Sequence, residues 1–82
     1  MVFSDWIAWQ CTRRSVSQAD LRRGISEHPA PVDITAAAVS RWFCGSAVPS
    51  AGSLVVLCDV LGLDATARAR ALQLIADHGM VA

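Results

Sequence analysis

No stretch of this sequence approaches the ~20 consecutive apolar residues that a membrane-spanning helix needs. The N-terminus also lacks the basic segment and apolar run of a signal peptide, so we expect a cytoplasmic protein. A hydrophobic content of 54% is, in turn, too high for a disordered tail. The 82 residues are enough for one small domain with a modest core, and we assign residues 1–82 to it.

Clustered cysteines are missing as well. Cys11, Cys44 and Cys58 lie far apart, form no Cys-x-x-Cys pair and have no histidine at metal-ligand spacing. An odd number of scattered cysteines indicates free thiols in a reducing compartment, so no metal site is predicted. The sequence also has no Gly-rich phosphate loop, no His-Glu-x-x-His and no supported Ser/His/Asp set. We therefore expect neither an enzyme nor a bound cofactor or small-molecule substrate.

Lysine is absent, and the chain has no net charge, because seven arginines balance seven acidic residues. A nucleic-acid-binding domain usually carries a basic surface, since neutralised phosphates supply most of its non-specific affinity. Any positive patch here must come from local placement of arginines. Five of the seven lie in the first half of the chain: Arg13, Arg14, Arg22, Arg23 and Arg41.

Capping residues and apolar residues at three- and four-residue spacing predict an all-α protein of five helices. The predicted elements are a helix from about Ser4 to Arg14, a second capped by Ser17, a third capped by Thr35 that ends at Gly45, a fourth capped by Ser50 that ends at Gly62, and a fifth capped by Asp64 that runs to about His78.

One sequence order within this pattern is informative: Ser17-Gln18-Ala19-Asp20-Leu21 … Ile34-Thr35-Ala36-Ala37-Ala38-Val39-Ser40-Arg41-Trp42 … Gly45 … Leu61-Gly62-Leu63. It resembles the helix-turn-helix domain of the Cro/C1-type (XRE) repressors of phages and bacteria, over roughly residues 3 to 64. The resemblance implies a compact five-helix, lambda-repressor-like bundle. Its helix-turn-helix core would span about 17–45 and its C-terminal helix about 64–78.

The connection between the second and third helices is longer than in a tight helix-turn-helix, whose turn has 3–4 residues. It covers about eight residues, 26–33, and its two prolines favour extended conformations at His28 and Ala30 and stop the second helix. This extended turn is either a tolerated surface insertion or a segment that makes a contact of its own.

The resemblance implies a transcription regulator that binds duplex DNA as a symmetric dimer, with helix 35–44 in the major groove. By motif position, the base-reading residues would be Arg41, Ala36, Ala37 and Ser40, and the phosphate contacts Gln18, Thr35, Ser46 and Ser17, together with the backbone around Gly45. Arg41 has the one strong option for direct readout, a bidentate pair with guanine. The alternatives are a solvated or phosphate-bound Arg41 and an ordinary surface glutamine at position 18.

Aromatic and aliphatic residues complete these predictions. Trp42 is expected in the core, whereas Trp6 and Trp9 cannot both face the core with Ile7, so that one of them covers the domain edge or a partner surface. The fifth helix is predicted to carry an apolar stripe of Leu72, Ile75 and Ala76. Candidates for dimerisation are Leu72, Ile75, Met80 and Val81, and the alternative is that this helix packs back on the first.

A second functional class also fits the sequence. Zero net charge and Ala36-Ala37-Ala38 on an exposed helix suit a protein-interaction module that kept a helix-turn-helix scaffold and lost its affinity for DNA.

Overall fold

Side-chain caps set the start of four helices in the computed structural model of this chain, which describes residues 1–29 and 33–81, and of 79–81 the backbone alone. The hydroxyls of Ser17, Thr35 and Ser50 each accept a hydrogen bond from the backbone N–H three residues ahead. The Asp64 carboxylate accepts one from Ala67 N–H at 2.8 Å. These bonds satisfy N–H groups that lack a partner inside the helix. All four predicted caps are confirmed.

The described residues form five α-helices and no β-strand, which confirms the all-α prediction: α1 (Phe3–Arg13), α2 (Gln18–Glu27), α3 (Ala36–Cys44), α4 (Ala51–Leu61) and α5 (Ala65–Val81). The start of α1 is different in kind, because its flanking residue Val2 makes no side-chain cap. Gly45 and Gly62 end α3 and α4 with φ of 82° and 66°. Glycine adopts this left-handed conformation without strain, so both predicted stops are confirmed.

The helices enclose one hydrophobic core. In it, α1 packs against α3 and α5, and α2 packs against α3 and α4. Trp42 is 3% exposed, as expected of a core residue, and Trp6 is buried, whereas Trp9 is 46% exposed. The prediction that one of the two N-terminal tryptophans lies at the surface is therefore confirmed. The largest fully buried side chains are Phe3, Ile7, Leu21, Leu57, Val39 and Cys58.

The predicted apolar stripe of α5 is wrong at two of its three residues. Leu72 is 54% exposed and Ala76 is also exposed, whereas Ala71 and Leu74 are buried among the described side chains of this helix. Ile75 is half-buried. The helix is rich in alanine on several faces, so apolar spacing alone did not distinguish the inward face from the one beside it. The contact of α5 with α1 agrees with the alternative in which the fifth helix packs back on the first.

The connection between α2 and α3 has the predicted length of about eight residues, but it covers 28–35 and not 26–33. Ser26 and Glu27 belong to the last turn of α2. His28 is extended, with φ −70° and ψ 136°, as expected for a residue before proline. Ala30 lies outside the described residues. At the far end of the connection, Ile34 is half-buried and packs against the core.

The α2 and α4 helices come close together at Gly24. A Cβ atom added at this glycine would lie 2.6 Å from Cγ1 of Val60 and 3.8 Å from its Cβ. The first distance is far inside van der Waals contact, and the second is an ordinary contact. A β-branched side chain in a helix has little freedom to turn away. Gly24 therefore permits the spacing of these two helices.

We expect Gly24→Ala to destabilise the protein by about 1 kcal/mol, because overpacking at Val60 costs about 1–3 kcal/mol and the alanine returns about 0.5–1 kcal/mol of helix propensity. In a Val60→Ala background, the same substitution should be neutral or stabilising. Urea unfolding of the four proteins of this double-mutant cycle measures the change of sign. A Gly24→Ala cost that is equal in both backgrounds would show that Val60 does not limit the approach.

Candidate nucleic-acid interface

The face of α3 turned away from the core carries the four predicted base-reading residues. Positions 36, 37, 40 and 41 are all exposed, whereas Val39 and Trp42 on the opposite face are buried. The α3 helix packs against α1 and α2. The arrangement follows from helix geometry, since residues three and four apart lie on the same side. The structure therefore brings Ala36, Ala37, Ser40 and Arg41 together on one solvent-facing surface, which we call the α3 face.

The α3 face presents one long polar side chain. Among the described residues, the Arg41 guanidinium has no ion pair, and its group is free to meet a ligand. Ala36 and Ala37 add no hydrogen-bonding side chain, so they permit close approach of another surface without selecting it by hydrogen bonds. Ser40 adds a single hydroxyl, which both donates and accepts.

The start of α3 presents donors beside an arginine. The Thr35 hydroxyl oxygen accepts the N–H of Ala38 at 3.1 Å, which leaves its proton to donate elsewhere. Arg22 of α2 lines the same cleft as Thr35 and Ala36, and this cleft measures about 230 Å³. The first N–H groups of a helix have no intrahelical partner and attract anions. This end of α3 therefore has the chemistry of a phosphate contact.

Arg22 was not among the predicted phosphate contacts. It lies one helical turn after Gln18, at i+4 on α2, and residues at this spacing share a face. That spacing is the sequence signal that could have identified it. Within the described part of the chain, Arg22 forms no ion pair, and its charge is available at the surface.

The start of α2 is a capping box. The Ser17 hydroxyl accepts the N–H of Asp20 at 3.0 Å, and the Asp20 carboxylate accepts the N–H of Ser17 at 3.1 Å. Gln18 is the first residue of the helix and is half-buried. Arg23 lies 3.7 Å from the Asp20 carboxylate. The predicted phosphate contacts at Ser17 and Gln18 thus lie beside a negative charge, which weakens this helix end for an anion.

Hydrogen bonding to Ser17 lowers the pKa of the Asp20 carboxyl, and the backbone N–H of Ser17 contributes more to this than its side chain does. A carboxyl whose pKa is lowered by folding contributes stability that is complete above its unfolded pKa of about 3.9 and is lost as the pH falls through the folded value. We expect Asp20→Asn to be less stable than the wild type at neutral pH and equally stable in acid. Urea unfolding from about pH 6 to about pH 2 tests this, because the loss is complete only below the lowered pKa. A stability difference that stays constant over this range would contradict the capping role.

The far end of α3 offers fewer free hydrogen-bond donors to a ligand than predicted. The backbone N–H groups of Gly45 and Ser46 both bond to the Arg41 carbonyl, the second at 3.1 Å, in the pattern that closes a helix with a left-handed glycine. The backbone around Gly45 is therefore already occupied, and Ser46 offers its exposed hydroxyl. Nine residues of helix separate Thr35 from Ser46, about 14 Å, so the two would meet different phosphates.

Two of the arginines expected to form a positive patch are engaged by the fold. Arg14 Nε donates to the Leu61 carbonyl at 3.1 Å, at the end of α4, and its terminal nitrogen donates to the main chain and side chain of Gln10. The Arg13 guanidinium lies 4.6 Å from the centre of the Trp9 ring, a cation–π contact. Both guanidiniums keep their positive charge, but their positions are fixed by contacts within the protein.

A second surface lies between α4 and α5. Val55 is 53% exposed and, with the exposed Leu72, borders a mostly apolar groove of about 290 Å³. Its remaining lining consists of Ala51, Leu54, Cys58 and Arg68. Of the predicted dimerisation residues, Leu72 therefore lies at this α4–α5 groove, Ile75 is half-buried beside the core, and the side chains of Met80 and Val81 lie outside the described residues.

The extended turn makes a contact of its own. Nε2 of His28 lies 3.2 Å from Oδ2 of Asp59 on α4, and the other oxygen of this carboxylate accepts from Arg68 on α5 at 2.7 Å. Hydrogen bonds from Arg68 and then from His28 lower the pKa of Asp59. The two alternatives for the extended turn are a tolerated insertion and a segment that makes a contact of its own. The second alternative applies at His28, and the contact is with α4 of the same chain.

Cys11, Cys44 and Cys58 are free cysteines. Burial raises the pKa of the Cys11 and Cys58 thiols, which keeps them protonated. In the part of the chain that the structure describes, no group of three or more histidine, cysteine or acidic side chains could hold a metal ion. None of the described helices is both long enough and apolar enough to cross a membrane.

Comparisons of the chain with models of protein families, with curated proteins and with solved structures found no match. Its function is therefore inferred from its own residues.

Proposed function

We propose that this chain is a sequence-specific regulator of transcription that binds duplex DNA through the α3 face, with the helix arrangement of the Cro/C1-type repressors. The observation that carries the proposal is the exposure of all four predicted base-reading positions on one side of α3, next to the cleft that Arg22 and Thr35 line. A helix that presents one arginine and small residues fits the major groove. Arg41 reads a base, and Arg22 and Thr35 hold a phosphate.

A dimer would double this contact. Two copies related by a two-fold axis place their reading helices in half-sites about 34–36 Å apart. The α4–α5 groove and the exposed Leu72 are the surface we assign to the contact between copies, since an exposed apolar patch marks an interaction site more often than scattered apolar residues do. The α3 faces of the two copies would then be held at a fixed spacing by a separate part of the bundle.

Selection from a random duplex library tests the function directly. The selected duplex is then titrated by fluorescence anisotropy at several salt concentrations, with circular dichroism showing that the protein is folded. We expect a palindromic site and an affinity that falls steeply with salt, because bound arginines release counterions from DNA. No enrichment by the folded protein, at a concentration that permits dimers, would refute the proposal.

Arg22 offers a sharper version of the salt experiment. Arg22→Gln is expected to weaken binding to all duplexes alike and to reduce the slope of log affinity against log salt by about 1 for each copy bound. Arg70→Gln on α5 is the matched control, since it removes the same charge from another exposed position. Equal slopes for Arg22→Gln and the wild type would remove this phosphate contact from the proposal.

The α4–α5 groove also favours the second candidate, a protein-interaction module. Val55 and Leu72 offer apolar surface, and Arg68, which also lines the groove, is paired with Asp59. Binding through this groove would show little dependence on salt, because few counterions are released. A partner protein whose affinity is lost in Leu72→Ala but kept in Arg41→Ala, together with no selected duplex, would establish this function in place of the first.

A further inference from the structure

The exposed tryptophan of α1 has no part in the proposed function. Trp9 is 46% exposed, and the Arg13 guanidinium lies over its ring, so the two side chains are held together at one place on the surface. Tryptophan and arginine are the residue types that most often dominate the binding free energy of protein–protein contacts. This pair therefore has the chemistry of an anchor for a partner surface.

Trp9 lies at the centre of a row of side chains that has opposite charges at its two ends. Asp5 and Arg13 are exposed four residues before and four residues after it, so all three share one side of the helix. The two charges are about 12 Å apart along the axis and cannot pair within one copy. Among the ion pairs of the described residues, neither takes part. The small exposed residues Ala8 and Thr12 complete this surface, which we call the α1 face.

The α1 face is complementary to itself. Reversing the direction of the helix about Trp9 exchanges positions 5 and 13, so in an antiparallel pair each Asp5 meets Arg13 of the other copy. A parallel pair would instead place like charges together, which is unfavourable. The short side chains of Ala8 and Thr12 permit the 8–10 Å distance at which helices pack. Such a contact uses the same patch on both copies, as a two-fold dimer requires.

We propose that the α1 face binds the α1 face of a second copy, antiparallel, with the two Trp9 side chains at the two-fold axis and each Asp5 paired with Arg13 of the other copy. One helix face buries less than the ~1,600 Å² of a standard interface, so the contact is weak and reversible. It is separate from the α4–α5 groove, and a chain that used both contacts would join dimers in pairs. The α1 contact does not depend on DNA binding.

Charge reversal tests this arrangement. The variants are made in a Leu72→Ala chain, so that the α4–α5 groove contributes little, and sedimentation equilibrium at low salt measures self-association. We expect Asp5→Arg and Arg13→Asp each to weaken self-association by at least about tenfold, since each creates two like-charged pairs per dimer. The double reversal should restore it. An equimolar mixture of the two single-reversal chains should form a heterodimer, because every charged pair is again of opposite sign.

A loss of stability does not explain the expected pattern. Asp5 lies in the first turn of α1 and Arg13 in the last, where each charge suits the helix dipole, so each reversal costs some stability. The double reversal carries both costs and is still expected to associate, with circular dichroism showing that each variant is folded. Arg70→Asp and Asp77→Arg make the same charge changes at exposed positions of α5, and they should leave self-association unchanged.

Trp9→Ala tests the anchor at the centre of the contact, and we expect it to weaken self-association by about 30-fold or more. A double reversal that stays monomeric, or a mixture that forms no heterodimer, would overturn the proposal. A Leu72→Ala chain that is monomeric at millimolar concentration would also overturn it, and would leave the groove as the contact between copies. Selection of a DNA duplex is a separate measurement, so the α1 contact and the proposed function can fail independently.

Discussion

Replacing Arg41 by alanine is expected to lower the affinity for the selected duplex by about 5- to 150-fold, which corresponds to about 1–3 kcal/mol for a bidentate contact with guanine. Arg41 is the long polar side chain of the α3 face, and its neighbours Ala36 and Ala37 carry no hydrogen-bonding group that could replace it. Affinity for duplexes that lack the selected site should change much less. Specificity would therefore collapse while general attraction to DNA persists.

Anisotropy titrations of the selected and scrambled duplexes at one salt concentration measure this difference. Arg70→Ala is the matched control, because it removes an exposed arginine of α5 and lowers the net charge equally. It should leave the preference for the selected site intact. An equal loss on both duplexes in Arg41→Ala would identify Arg41 as a phosphate contact, and unchanged binding to both would remove it from the interface.

The second large effect concerns the opposite face of the same helix. Trp42→Ala is expected to destabilise the protein by about 3–5 kcal/mol, because it removes a large buried side chain and leaves a cavity between α3 and its neighbours. A domain of this size has a total stability of about 4–12 kcal/mol, so much of it would be lost. The α3 face would lose the packing that holds it in place even though no residue on it had changed.

Trp9→Ala provides the comparison for this effect. The substitution is the same, but Trp9 is half exposed and its described aromatic contact is with Arg13, which is worth about 0.5–1 kcal/mol at an exposed site. Urea unfolding followed by far-ultraviolet circular dichroism suits both variants, since tryptophan fluorescence changes with the substitution itself. Similar losses in the two variants would contradict the assignment of Trp42 to the core.

Local signals explain how much of the fold was predictable. Ser17, Thr35, Ser50 and Asp64 act within one turn of the chain, and a capping bond depends on a residue three positions away. Such features are visible in a sequence. The inward face of α5 was misassigned because it depends on which neighbour the helix meets, and alanine gives little contrast between faces.

The candidate site likewise combines features that local sequence predicts with contacts between distant residues that it does not predict. Exposure of Arg41 followed from the spacing of Val39 and Trp42 on one helix. The contact between His28 and Asp59 joins residues 31 positions apart, and no spacing rule links them. The hydrogen bond from Arg14 to the end of α4 is likewise a long-range contact, since Leu61 lies 47 positions away. A sequence does not show which of its arginines are held in place by such contacts.

The missing cap at the start of α1 has a consequence for what stabilises this helix. The other helices carry their own start signals, whereas α1 begins after Val2 without one and buries Phe3, Trp6 and Ile7. An isolated helix of 11 residues is marginal in water. The helical form of α1 therefore depends on its packing against α3 and α5.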